Sequence, residues 1–173
     1  MKRMVVLFVA TISTYCIGQI NPFSKLKIDS VVIYDYNVNA EGEHFYPIIY
    51  KGKLSWPISK SIKLDKQTAD TFTKKLELKE SYGNSRADCF EPHLGIVYYL
   101  KGKPLEYVSI CLYCNMLRAS KEIPEQLQGK QGTRKEVYYT LDGMSKSFRK
   151  YLNDLIKKYN FSNQIKKNSL FDN

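Results

Sequence analysis

Glycine-rich phosphate loops, Walker-type signatures, a His-Glu-x-x-His pair and a glycine-flanked nucleophile elbow are all missing from this 173-residue chain. Their absence leaves no recognisable frame for nucleotide binding, zinc-protease chemistry or serine hydrolysis. Histidine occurs twice and tryptophan once, and the six prolines and nine glycines form no run long enough to act as a linker. Internal repeats and low-complexity blocks are also lacking. The chain therefore reads as one domain.

Acidic residues are the scarcer charge, 17 against 27 lysines and arginines, which leaves a formal charge of +10. The excess is scattered as Lys25/Lys27, Lys74/Lys75, Lys101/Lys103, Arg134/Lys135 and Lys157/Lys158. Scattered lysines predict a solvated surface and not a nucleic-acid stripe. Apolar runs are short as well. Met4 to Ile12 follows Lys2 and Arg3 and is too short to span a bilayer, so residues 1–18 read as a secretory signal cut before Gln19. A lipid-modified Cys16 is the rival, disfavoured by the bulky Tyr15 before it. Export to the periplasm or medium is expected, without a transmembrane segment in the mature chain. That chain has about 155 residues, enough to bury a core. Losing Lys2 and Arg3 lowers the charge from +10 to +8.

Strand patterns occur at Ser30–Tyr36, at Phe45 to Lys51, and as a short piece over Ser61–Leu64. Asp65 fits an N-cap for a helix to about Leu78, with Ala69, Phe72 and Leu76 on one face. Leu94 to Leu100 and Leu105 to Leu112 flank Lys101-Gly102-Lys103, which predicts a tight hairpin. Its first strand is apolar on both faces, so it belongs in mid-sheet, covered on both sides. Glu122 to Arg134 reads as a loop and Val137 to Thr140 as a short strand. Met144, Phe148, Tyr151, Leu152, Leu155, Ile156 and Tyr159 then recur at helical spacing, with Lys146, Arg149, Lys150, Lys157 and Lys158 placed opposite. This helix serves as a cover for the sheet. A basic membrane-surface helix is the competing reading. The predicted class is α+β, a single domain over residues 19–161 in the order β-β-(β)-α-β-β-(β)-α, with a flexible tail over 162–173.

Cysteine is rare too, and three of the four cysteines share one stretch with a histidine: Cys89, His93, Cys111 and Cys114. The hairpin register predicts that Cys111 faces His93 or its neighbour, and that Cys89 falls opposite the region just after Cys114. One reading is a Cys3His zinc site, with Asn115 supplying the left-handed backbone that a Cys-x-x-Cys turn needs. A second is a disulfide, Cys89 with Cys114 or with Cys111, leaving one thiol over, as an oxidising compartment favours. A third keeps all three reduced as small buried hydrophobes. A cycling redox pair fits less well, because the motif follows a strand and not a helix start.

Two catalytic arrangements can also be drawn. Cys89 and His93, flanked by Asp88 and Glu91, supply parts of a thiol nucleophile without an oxyanion turn. Glu41, Glu43 and His44 supply acid–base groups, but within a segment that reads as a solvated loop. The tyrosines and Trp56 would suit a sugar or peptide surface, or a half-buried sheet. The leading expectation is a non-enzymatic exported domain that binds an unidentified protein or envelope ligand, with the cysteine cluster as staple or metal knot. The alternative is a thiol-dependent oxidoreductase or metal-assisted hydrolase centred on the same four residues.

Cys89-Phe90-x-Pro92-His93-x-Gly95-Ile96 followed by Ile110-Cys111-x-x-Cys114 resembles a pattern in uncharacterised small proteins of bacterial envelopes. The resemblance extends upstream to Ile62-x-Leu64-x-x-Gln67-x-Ala69 and Ser81-Tyr82, and downstream to the closing helix, covering roughly residues 60–160. That family commonly carries an arginine between the proline and the histidine and an acidic residue inside the Cys-x-x-Cys. Here His93 follows Pro92 directly, and Leu112 and Tyr113 fill the gap. The resemblance implies a fold outline and a focus on the hairpin, and no activity.

Overall fold

A computed structural model describes residues 22–37, 47–55, 57–132, 137–165 and Phe171. Residues 1–18, read above as a signal, with Cys16, the Asn39–His44 cluster and Trp56 lie outside the described residues. The strands are β1 (Ser30–Tyr36), β2 (Ile49–Tyr50), β3 (Lys53–Leu54), β4 (Ile58–Lys63), β5 (Tyr82–Asn84), β6 (Leu94–Leu100), β7 (Lys103–Cys111), β8 (Met116–Ala119), β9 (Leu127–Gly132), β10 (Val137–Leu141) and β11 (Gly143–Met144). The helices are α1 (Lys66–Leu76) and α2 (Lys146–Lys158). This is the α+β class expected, built on a five-stranded antiparallel sheet in the order β4-β1-β6-β7-β8.

The central hairpin sets the frame. Lys101 and Gly102 take positive φ at its turn, and the ladder pairs Leu94 with Ile110 and Ile96 with Val108. Side chains alternate across the sheet. Val31, Ile33, Leu94, Ile96, Tyr98, Val108, Ile110 and Leu117 point towards the helices and join Phe72, Leu76, Phe148, Leu152 and Ile156 in the main core. The opposite face carries a smaller cluster of Tyr34, Tyr36 and Val97 under Ile48 and Ile49. The mid-sheet position of β6, covered on both sides, follows its sequence pattern.

Both helices are capped by side chains at their starts. Asp65 accepts from the Thr68 N–H at 2.7 Å, and Ser145 from the Phe148 N–H at 3.3 Å. The Thr68 bonds hold the Asp65 carboxyl below its usual range. At the end of α2, Asn160 turns left-handed, with its N–H on Lys157 O and that of Phe161 on Ile156 O. This satisfies the last carbonyls and reverses the chain. Lys60 Nζ adds a bond to Tyr159 O at 2.7 Å, a cation at a helix C-terminus.

Besides the short strands β5, β8 and β11, which the sequence reading did not include, and the Phe45 to Lys51 strand, of which Ile49–Tyr50 is formed before a turn at Lys51, the structure departs from that reading in three further places. Part of the predicted Glu122–Arg134 loop is a turn over Pro124–Gln126 followed by β9, which pairs with β10. Cross-strand hydrogen bonding there overrides the low strand propensity of Gly129 and Gly132. The packed chain also continues past Phe161, the predicted end of the domain. Ser162 and Asn163 dock on Asp35, a carboxylate that is only 1% exposed at the end of β1. It accepts from Ser59 Oγ at 2.9 Å, from Ser162 N and Oγ at 2.6 Å each, and from Asn163 N and Nδ2 at 3.3 and 2.7 Å. Five hydrogen bonds from neutral donors replace the water such a charge loses on burial. The third departure, Arg149, belongs to the site below.

Gly95 is where the second sheet face is tightest. A Cβ there would stand 2.7 Å from Ile48 Cγ1 and 2.9 Å from Ile48 Cβ and Cδ1. Ile48 cannot retreat freely, because its N–H is tied to Ser109 Oγ at 2.9 Å. Gly95→Ala is therefore expected to cost about 1–3 kcal/mol in chemical denaturation through overpacking. An unchanged midpoint would show that the Ile48 segment is not seated on β6.

Candidate functional site

The predicted cysteine–histidine stretch closes into one cluster at the end of the central hairpin. The β6–β7 ladder, continued by one residue, sets His93 opposite Cys111, and the His93 N–H bonds Ile110 O at 2.8 Å. β7 then turns through Leu112–Asn115 into β8, with Asn115 at φ 53°, the left-handed position expected of it. Cys89 and Cys114 form a disulfide with Cα atoms 5.8 Å apart, joining segments separated by 25 residues. Of the two pairings open at the sequence level, Cys89–Cys114 is the one formed, and Cys111 is the thiol left over.

The environment of each group limits its chemistry. Cys111 is fully buried among Phe90, Cys114 and Met116, and burial pushes its thiol above the ordinary value. Its sulfur accepts the Cys114 N–H at 3.1 Å. His93 is 1% exposed, with Nδ1 facing the Leu112 N–H at 3.4 Å and its ring edge-on to Tyr113 at 4.3 Å. Burial also pushes the His93 imidazole below its ordinary value, so it is neutral at physiological pH. With two of the four candidate zinc ligands bonded to each other, Cys111 and His93 remain. No group of three or more histidine, cysteine or acidic side chains among the described residues could hold a metal ion. Asp88 does not orient His93. It is fully exposed and pairs with Arg86 at 3.2 Å.

Around the cysteines lies a polar frame that the sequence did not announce. Arg149 is 1% exposed on α2, and its Nη1 donates to Leu112 O at 2.9 Å and Asn115 Oδ1 at 3.1 Å. The sequence reading placed Arg149 on the solvent side with the lysines, which the structure corrects. A signal was present, because Arg149 precedes Leu152 by three residues and Ile156 by seven and so lies on the apolar stripe. Asn115 Nδ2 donates to Ser85 O at 2.9 Å and Met144 O at 3.0 Å. The Ala87 N–H bonds Cys114 O at 3.0 Å, so the turn is held on several sides. Gly143 closes the packing, since a Cβ there would stand 2.5 Å from Ser85 O and 2.7 Å from Asn115 Nδ2.

The basic face of α2 is partly neutralised, with Lys150 on Asp154 at 2.7 Å and Lys158 near Asp65 at 3.7 Å. Among the described residues no helix is long and apolar enough to cross a membrane. The chain matches no protein-family model, no curated protein and no solved structure.

Two outcomes follow from this geometry. Arg149→Met keeps much of the apolar stem but removes the donor from Leu112 O and Asn115 Oδ1. It is expected to lose about 2–3 kcal/mol in urea unfolding, and a change within error would mean the turn is held without it. The pH dependence has a definite sign. The folded His93 value lies below the unfolded one, so the unfolded state binds more protons between the two. The His93 contribution is complete above the unfolded value of about 6.5 and is lost as pH falls towards the folded value. A His93→Gln variant is expected to flatten that acid limb, and an unaltered limb would assign it to other groups.

Proposed function

We propose that the chain is an exported, non-enzymatic α+β domain that binds a partner or an envelope ligand, with the Cys89–Cys114 bond as its staple. One observation carries the staple reading. The bond ties the loop before β6 to the turn after β7, while the remaining thiol is sealed in apolar surroundings that disfavour its nucleophilic form. A disulfide also suits the oxidising compartment to which residues 1–18 would direct the chain. His93 supports the same reading, being buried, neutral and engaged with the Leu112 backbone instead of a cleft. The resemblance to small bacterial envelope proteins agrees with export, and it adds no substrate.

Intact mass of protein recovered from an exporting host, measured under native and denaturing conditions, tests cleavage, metal and oxidation together. The expected species begins at Gln19, holds one disulfide and one thiol, and has the same composition under both conditions. A native mass raised by one zinc ion, with three thiols free after denaturation, would replace the staple by the Cys89/His93/Cys111/Cys114 metal site. Retention of the leader would remove the export reading.

A further inference from the structure

We propose that the groove between α1 and α2 binds a neutral, hydroxyl-rich ligand, a sugar residue, through hydrogen bonds from both helices. The proposal rests on the reading of the chain as a binding domain and gives that reading a site.

The helices lie side by side, with Phe72 meeting Phe148 at 6.2 Å and Lys158 approaching Asp65 at 3.7 Å. Between them is a cavity of about 450 Å³, within the roughly 300–1,000 Å³ of small-molecule sites. α1 lines it with Gln67, Thr68 and Thr71. On α2, Tyr151, Asp154, Leu155 and Lys158 follow at steps of three and four, so they share one face. Only Leu155 is without a polar group, and an apolar occupant would leave the others unsatisfied.

Charge argues against an ionic ligand. Both carboxylates of the groove already have a lysine, Asp65 with Lys158 at 3.7 Å and Asp154 with Lys150 at 2.7 Å. Lys158 Nζ also donates to Thr68 Oγ1 at 3.4 Å. An ion would have to displace one of these partners, whereas a neutral ligand uses what they leave over. That remainder is mixed. The Gln67 amide both donates and accepts, Asp154 binds Lys150 through Oδ2 alone, and the Thr71 hydroxyl, which donates to Gln67 O at 2.8 Å, keeps its lone pairs. Adjacent sugar hydroxyls donate and accept at once, and so match such a set.

The Tyr151 hydroxyl is an independent observation. It is buried and has no hydrogen-bond partner among the described residues. Burial, and then the neighbouring Tyr159 and Asp65, push its phenol up to about 12, so it stays protonated at neutral pH. The ring stacks on Phe148 at 6.4 Å and lies 5.1 Å from the Lys75 ammonium. Phenylalanine would serve that packing without burying an unpaired hydroxyl. A sugar hydroxyl, entering as the exposed Gln67 and Lys158 side chains swing aside, supplies the missing partner.

Isotope-labelled protein from an exporting host is titrated with glucose, galactose, mannose, N-acetylglucosamine and cellobiose to millimolar concentrations, and amide NMR shifts are followed. At least one sugar is expected to shift the groove amides of both helices saturably, those of Thr68, Thr71, Asp154 and Lys158 among them. Tyr151→Phe is expected to melt at the same or a higher temperature, yet to bind that sugar about five- to tenfold more weakly. A purely structural hydroxyl would not separate the two readouts in this way. No shift of the groove by any of these sugars, or undiminished binding by Tyr151→Phe, would overturn the site. Tighter binding of the charged analogues glucuronate or glucosamine would overturn the neutral class of ligand. Saturable shifts confined to other residues would overturn the site and leave the domain a binding one. Cellobiose split to glucose during the titration would instead overturn the non-enzymatic reading.

Discussion

The turn from Leu112 to Asn115 is held by hydrogen bonds to three other segments of the fold. Asn115 adopts a left-handed backbone, donates from its amide to Ser85 O and Met144 O, and accepts from the Arg149 guanidinium, which also reaches Leu112 O. These bonds bring together the end of the central hairpin, the loop before β6, β11 and α2. Backbone carbonyls inside a protein must find donors. Here a buried arginine and one asparagine side chain provide them, so the helix cannot be packed on the sheet without the turn being fixed as well. The disulfide acts on a junction already defined by polar contacts, closing the exposed side of it.

Asp35 repeats this logic at the edge of the same layer. Its carboxylate and the β1 end are closed over by Ser162 and Asn163, and Asn163 Nδ2 also contacts Tyr36 O and His93 O. The His93 carbonyl is thereby tied to the C-terminal segment while the His93 ring faces Leu112. One short stretch of backbone therefore connects the two polar junctions. A histidine in that position is committed to structure on both sides, through its carbonyl and through its ring.

Periodicity made most of the framework legible. β1, the two strands of the hairpin and both helices follow from alternation, turn chemistry and caps, and the hairpin register alone placed Cys111 across from His93 or its neighbour. Residue types with two roles were not legible. Arg149 belongs by composition with the surface lysines and by position with the buried stripe, and only the neighbouring carbonyls decide between these. Asp35 sits in an apolar strand where four of its five hydrogen bonds come from residues 127 and 128 positions away, beyond the reach of local pattern. β9 was hidden by its glycines, since its pairing with β10 depends on a partner strand and not on its own propensity. The pairing of Cys89 with Cys114 rather than Cys111 depended on the rotation of the turn, which spacing alone does not give.

Native-state amide hydrogen exchange tests most directly whether this turn is a junction on which the fold rests. The N–H groups of Ala87 and Cys114 lie in it, and those of Ile96 and Val108 in the central hairpin provide the reference. If the turn opens only when the domain unfolds, Ala87 and Cys114 are expected to exchange as slowly as Ile96 and Val108, with the same dependence on denaturant. Exchange at Ala87 and Cys114 that is orders of magnitude faster and insensitive to denaturant would contradict it, showing a local turn on a fold held elsewhere.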